Sequence, residues 1–409
     1  MHIECTNGSP MVNTLDHLTS LPLFIHYHFP PTVLDELGMY HALRLHGRIR
    51  HIRLSLNHSF LHKSLALMDE NFPILESLYL INPYLFDSGH RLPLTLPKAF
   101  LAPNLRHLTL FGICLPKRLR VLTSTVSLVT LTLRDIQTTY FRPRLLVARL
   151  RSLPLLQELT VTFSISIPRP SAERELLGDQ RAPVTLPSLK KLQFEGDGDY
   201  LESLATQIRA PLLEWLELKI TLSNLIAFAL PHLSHLVNIT EALKLPSAVV
   251  GFYCTQVYLT VRESRLSVPT SRYLSFHIIC EPLNRQICCA AQIFHALIPT
   301  HSCVEDLSLA IGYYATPTDM RNSAINSATW RDLLRPFIGT QRLNITYTFS
   351  EELSRALQMD EVGSDPGFLP NLRSIRVPSI HERRNLFTSF IDTRQAVGRP
   401  VQFELFEGY

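Results

Sequence analysis

The sequence has few charges, few cysteines and no long apolar run, and each shortage excludes something. Charged residues fill only 18% of 409 positions, and 39 Lys and Arg against 35 Asp and Glu leave a net charge of +4 with no block of one sign. A balance so mild and so evenly spread argues against nucleic-acid binding. No apolar stretch approaches the roughly 18 residues that span a bilayer. The opening MHIECTNGSPMVNTLDH lacks a basic start followed by an apolar core. The expectation is a soluble protein without a membrane partner, cytoplasmic and/or nuclear. Seven irregularly placed cysteines, with Cys288 and Cys289 adjacent, do not make a disulfide framework. They read mostly as buried thiols.

Catalytic signatures are missing as well. G-x-S-x-G, the Walker A loop and H-E-x-x-H do not occur. The loop EGDGDYLESL places glycines between a strand and a helix, but Leu201 stands where the third glycine of a dinucleotide fingerprint belongs, and Asp197 and Asp199 would repel a pyrophosphate. His26 and His28 would share one face of a strand, yet two ligands without a further Cys, Asp or Glu do not make a zinc site. Cys303 near His301 has no third group to orient a base and reads as a core thiol. Neither an enzyme nor a cofactor or metal is expected.

What the chain does have is a repeat. Hydrophobic residues make up 46% of it, and they recur as apolar-x-x-apolar-x-apolar. The copies are IRHIRL (49–54), LESLYL (75–80), LRHLTL (105–110), LVTLTL (128–133), LQELTV (156–161), LKKLQF (189–194), LEWLEL (213–218), VEDLSL (304–309), TQRLNI (340–345) and LRSIRV (372–377), with a weaker TEALKL (240–245). Counted on the second apolar position from Ile52 to Ile375, the steps are 26, 30, 23, 28, 33, 24, 27, 64, 36 and 32 residues. Apart from the 64, this is the spacing of leucine-rich-repeat-like units. The last four residues of each copy alternate polar and apolar, which predicts a half-buried strand.

The segments between copies predict helices. In DYLESLATQI, Leu201, Leu204, Ala205 and Ile208 form one helical stripe, with Asp199 and Glu202 spaced as a capping box. LLVARLRSL (145–153) and CCAAQIFHAL (288–297) are similar, and 387–405 reads as a helix, a Gly-Pro break and a last strand. Strand and helix in alternation imply parallel strands. The expected fold is therefore α/β, a leucine-rich-repeat-like solenoid or horseshoe with parallel strands on its concave face and helices or irregular segments on its convex face. Its parts are an N-terminal segment and cap (1–45), repeat units (46–245), an irregular β-rich stretch with a helix (246–300), and C-terminal repeats with a cap (301–409). A standard leucine-rich repeat carries Asn three residues after the last strand leucine. Here those places hold Pro83, Ile113, Ile136, Ser164, Asp197 and Thr221, which predicts a less regular stack.

Four segments, DELGMYHALRLHGRIRHIRL (35–54), LALMDENFPILESLYL (65–80), LPKAFLAPNLRHLTLFGICLP (96–116) and FIDTRQAVGRPV (390–401), give the chain a resemblance to the F-box-containing, leucine-rich-repeat-like proteins of mushroom-forming fungi. The resemblance implies a substrate receptor of an SCF-type ubiquitin ligase. In such a receptor an N-terminal F-box docks on a Skp1-type adaptor and the repeats hold an unknown protein target. LFIHYHFPPT after Leu21-Pro22 is β-prone and ends in two prolines, so no intact F-box is expected in this chain, and the adaptor is a partner only if an F-box lies upstream. A free-standing repeat scaffold is the alternative, and an enzyme on an α/β scaffold is another. The residues expected to carry binding are those between the two apolar positions of each strand: Arg53, Tyr79, Thr109, Thr132, Thr160, Gln193, Glu217, Lys244, Ser308, Asn344 and Arg376, joined by Trp215. Stacked at about 4.8 Å they would form a concave-face row about 50 Å long.

Overall fold

The computed structural model describes residues 2–8, 15, 20–28, 32–83, 94–114, 120–135, 142–163, 183–221, 245–263, 272–297, 303–311, 326–346, 349–358, 368–378 and 384–406. The architecture is mixed α/β and its strand pairing is mostly parallel. The chain divides into two compact units: Met1–Gly196 with Ser203–Leu213, and Asp197–Glu202 with Glu214–Tyr409.

In the first unit the strands β1 (Ile3–Thr6), β2 (Leu23–His28), β3 (Ile49–Ser55), β4 (Ser77–Ile81), β5 (His107–Phe111), β6 (Thr130–Arg134), β7 (Glu158–Thr162) and β9 (Lys191–Asp197) lie in that order, every pair parallel. A two-residue β8 (Val184–Thr185) pairs separately with β10 (Ile208–Arg209). The alternation in the sequence is the reason for the strands. Ile52 and Leu54, Leu78 and Leu80, Leu108 and Leu110, Leu131 and Leu133, Leu159 and Val161, and Leu192 and Phe194 all point to one face and are buried. Each such side chain contributes about 1.5–3 kcal/mol before entropy is subtracted. No single strand could bury them alone.

Three of the four helices described next, α1, α2 and α4, follow local signals. In α1 (Val33–Arg44), the Thr32 side chain caps the backbone N–H of Asp35 while Asp35 accepts from the Thr32 N–H, a capping box. α2 (His58–Ala66) is capped by Asn57, which accepts from the Phe60 N–H at 3.2 Å. α3 (Arg120–Ser124) is a single short turn, and α4 (Pro143–Leu150) has proline at its first position, where a missing N–H costs nothing.

The second unit orders its strands β11 (Trp215–Thr221), β14 (Tyr273–Ile279), β13 (Gln256–Arg262), β12 (Ser247–Phe252), β15 (Asp306–Ile311), β16 (Arg342–Ile345), β17 (Ser374–Pro378) and β18 (Gln402–Phe406). All neighbours are parallel except those of β13, which runs antiparallel to both β12 and β14. This one antiparallel strand lies in the stretch 246–300 that the sequence reads as irregular and β-rich, outside the repeat copies from which parallel pairing was expected. The reason for its reversal is connection length: only Tyr253–Thr255 separate β12 from β13, far too few for a parallel crossover, and Tyr253 N–H bonds to the Gln256 carbonyl at 2.9 Å to close a hairpin. Helices α6 (Leu283–Leu297), α7 (Ser327–Leu334), α8 (Ser350–Gln358) and α9 (Arg384–Ala396) pack in sequence, each on the next. Trp330 of α7 meets Phe252 and Phe349, and these two meet each other, edge to face at 5.0–5.8 Å between ring centres.

The segment read as the helix DYLESLATQI ends earlier than its periodicity predicts. α5 covers Gly198–Ala205, and Ile208 lies instead on β10. Its first turn is satisfied by Asp197, whose side chain accepts from the N–H groups of Asp199 and Tyr200, so Asp199 is not the cap. The C-terminal helix, break and strand are as the sequence predicts. TEALKL lies outside the described residues apart from Leu245.

A side-chain ladder exists where the sequence rule did not look for it. The residue before the first apolar position of a repeat donates to the carbonyl two residues before the same position in the preceding repeat. Asn104 reaches Pro73 at 2.7 Å, Ser127 reaches Pro103 at 3.4 Å, Ser188 reaches Pro154 at 2.9 Å, and Asn371 reaches Ile338 at 3.0 Å. Most turns of this kind are also closed internally. The N–H groups of Leu75, Leu105, Leu156, Leu189, Leu213, Thr340 and Leu372 each bond to the carbonyl three residues earlier. One turn geometry thus recurs in both units.

Candidate protein-binding face

Alternation that buries one side of each strand turns the other side outward, and the register decides which outward residues become neighbours. In the first unit it joins His26, Arg53, Tyr79, Thr109, Thr132, Thr160 and Gln193 side by side. Every row residue predicted for β3 to β9 falls into this line. Their environments are less open than the alternation implies. Arg53 is exposed, with its guanidinium 5.8 Å above the Tyr79 ring, and Tyr79, Thr109, Thr132 and Gln193 are half-buried. Thr160 is only 7% exposed, with its hydroxyl 3.5 Å from Gln193 Oε1. It is withdrawn from the exposed row because the flanking strands and their side chains crowd it.

In the second unit the register joins Glu217, Ser275, Thr260, Val249, Ser308, Asn344, Arg376 and Glu404. Four predicted residues, Glu217, Ser308, Asn344 and Arg376, are here, all half-buried. Lys244 lies outside the described residues. Asn344 donates to Ser308 Oγ at 2.9 Å, and Arg376 Nε donates to Glu404 at 2.6 Å. Trp215 stands two residues before Glu217, on the same face but in the adjacent line, and its ring meets Tyr273 at 4.4 Å. The Tyr273 hydroxyl is 2.8 Å from that of Tyr258, which in turn packs edge-on against His277 at 4.3 Å. Burial pushes the Tyr273 phenol up to about 12, so it stays protonated and able to donate at neutral pH. Asp306 takes both Nε and Nη2 of Arg342 in a two-pronged pair.

Several of these residues were not singled out from the sequence. Tyr258, Tyr273 and His277 sit in CTQVYLTV and SRYLSFHII, whose β character was visible but whose partners were not. β1 and β2 extend the first unit's sheet through residues read as a leading segment, and LFIHYH does alternate in burial along β2. His26 and His28 share a face as expected, with rings 4.3 Å apart.

Other sequence readings resolve as follows. Cys5, Cys114, Cys280 and Cys289 are buried free thiols, whereas Cys254, Cys288 and Cys303 are exposed. The core-thiol reading of Cys303 is therefore corrected: the residue precedes β15 rather than lying on it, and His301 is outside the described residues. Among the described residues no group of three His, Cys, Asp or Glu side chains could hold a metal ion, and no helix is long and apolar enough to cross a membrane. The outward residues present amides, hydroxyls, guanidinium groups and aromatic rings spaced by the strands. No protein-family model matches the chain, and no curated protein does.

Proposed function

We propose that the chain is a protein-binding repeat protein, each unit a leucine-rich-repeat-like stack with its strands on a concave face, and that it acts as the target-recognition part of an F-box-type substrate receptor. The observation that carries the binding role is the in-register polar and aromatic line on each unit, with Arg53, Tyr79 and Arg376 among its members and Trp215 in the line beside it. Tyr, Trp and Arg are the residue types that dominate interface energies. The recurring turn and its side-chain ladder support the repeat reading, and the segment resemblance supports the ligase connection.

Affinity purification from cells tests both levels. A partner recovered by the wild-type chain and lost with Tyr79→Ala or Arg376→Glu, at unchanged thermal stability, is the expected result. A partner indifferent to every substitution on both rows would overturn the binding role. Repeated with the coding sequence extended upstream, co-recovery of a Skp1-type adaptor supports the receptor reading, and recovery of the target without the adaptor supports a free-standing scaffold.

A further inference from the structure

The outward face of the first strands gathers histidines, two aromatic rings and one open arginine. Beside the line of His26, Arg53 and Tyr79 runs a second one: Phe24, His51, Ser77, His107 and Thr130. The Phe24 ring lies between His2 at 4.1 Å and His51 at 4.2 Å. His28 packs against His26, and His107 Nδ1 is 3.2 Å from Thr130 Oγ1.

The charges on this patch are unevenly answered. Glu4 is held by His2 at 3.1 Å and Glu76 by Arg50 at 2.8 Å. Arg53 touches the face of Tyr79 and pairs with no carboxylate among the described residues. His26 Nε2 is buried with no hydrogen-bond partner among the described residues, which costs free energy until something bonds to it. One permanent positive charge, five imidazoles and two stacking rings make a surface complementary to carboxylates. It is a poor match for a nucleic-acid backbone, which needs a denser set of fixed cations.

Resting on the protein-binding reading above, we propose that this patch docks an acidic peptide segment of the partner, and holds it more tightly as the pH falls.

Burial lowers the proton affinity of His26, helped by His28 and Arg53 and opposed by Glu4. Burial also lowers that of His51, with Glu76 opposing and Arg50, His107 and His2 assisting. Both rings are therefore neutral in the free protein at neutral pH. A carboxylate seated over them offsets the lost hydration and the neighbouring positive charges, so the complex holds more protons than the free protein. By linkage, affinity then rises as pH falls toward and through the usual histidine range, by up to about tenfold per pH unit for each proton taken up.

The test is fluorescence anisotropy of a labelled Glu- and Asp-rich peptide carrying one Phe, titrated with the intact chain between pH 8 and pH 6. A Lys-rich peptide of equal length and a single-stranded RNA oligomer serve as comparators. The expected result is acidic-peptide binding that strengthens by about tenfold or more over this range. Arg53→Gln should weaken it at every pH, and the double variant His26→Gln with His51→Gln should flatten the pH profile while retaining the thermal stability of the wild type. No acidic-peptide binding, a flat wild-type profile, or tighter binding of the RNA would overturn the proposal. If purified partners are still lost with Arg376→Glu while the acidic peptide fails to bind, only this inference falls.

Discussion

Leu110 and Thr109 are adjacent on β5, and the fold assigns them opposite fates. Leu110 is fully buried, with Leu80 and Leu133 beside it on the neighbouring strands. Truncating it to Ala removes three buried carbons and leaves a space that the flanking strands, tied by backbone hydrogen bonds on both sides, cannot close. The expected loss is about 3–5 kcal/mol. Thr109 faces the other way and is half-buried between Tyr79 and Thr132. Thr109→Ala gives up some strand preference and little packing, about 0.5–1 kcal/mol. Urea unfolding followed by far-ultraviolet circular dichroism gives the two midpoints. Amide exchange at β4, β5 and β6 localises the effect, which matters because a repeat stack can unfold in parts. Equal losses, or a larger loss from Thr109→Ala, would refute the facing of the strand and with it the outward row.

Four further outcomes are expected. Bonds from the Thr32 side chain, the Gly8 N–H and the Thr32 N–H hold the Asp35 carboxyl below its usual range. Its stabilisation is thus present above the ordinary carboxylate range and is lost as pH falls through the lowered value. Asp35→Asn should be less stable than wild type near pH 7, and the gap in melting temperature should narrow in acid; a gap that widens in acid contradicts this. Gly196 leaves tight quarters for a side chain, since an added Cβ would come 3.1 Å from Phe163 and 3.2 Å from Phe194 and the rings would have to give way by a few tenths of an ångström. Gly196→Ala should cost about 1–3 kcal/mol in denaturant unfolding, and a neutral result would mean that the rings yield freely. Thr260 buries a hydroxyl with no hydrogen-bond partner among the described residues, so Thr260→Val should be neutral or stabilising by up to about 1–3 kcal/mol in the same assay, and a clear loss would reveal a bond to that hydroxyl. A thiol reagent should label Cys254, Cys288 and Cys303 in the native protein and all seven cysteines only after unfolding; rapid native labelling of Cys5 would contradict its burial.

Much of the strand framework was legible because alternation is a local property. Ten of the copied motifs give a strand with the same residues buried, since burying two leucines on one face needs no information from elsewhere in the chain. The row from Arg53 to Gln193 follows from constant register, so naming one middle residue per strand was enough. Partner-dependent features were not legible. β1 is four residues long and its membership depends on pairing with β2. The Asn and Ser ladder escaped because a pattern borrowed from regular repeats looks after the strand, whereas here the donors sit before it, at Asn104, Ser127, Ser188 and Asn371. Thr160 looks as open as Thr132 in sequence, and only packing separates them.

The three strands β12, β13 and β14 show why an interruption of the repeat need not interrupt the face. The outer strands of a three-stranded antiparallel meander run in the same direction. Both can therefore join parallel neighbours, β14 beside β11 and β12 beside β15; two or four strands would leave one edge mismatched. Reversal of β13 changes its hydrogen-bond pattern but not which side its residues face, because directly opposed residues in an antiparallel pair point the same way. Val257, Leu259 and Val261 go inward, while Tyr258, Thr260 and Arg262 stay in line with His277, Ser275 and Tyr273. The long step that broke the sequence period thus adds Tyr258, Tyr273 and His277 to the same face as Trp215 and Glu217. Among the described residues, this aromatic cluster is built where the repeat is least regular, and where β13 and β14 carry Tyr258 and Tyr273, the middle outward positions of β15 and β16 carry Ser308 and Asn344.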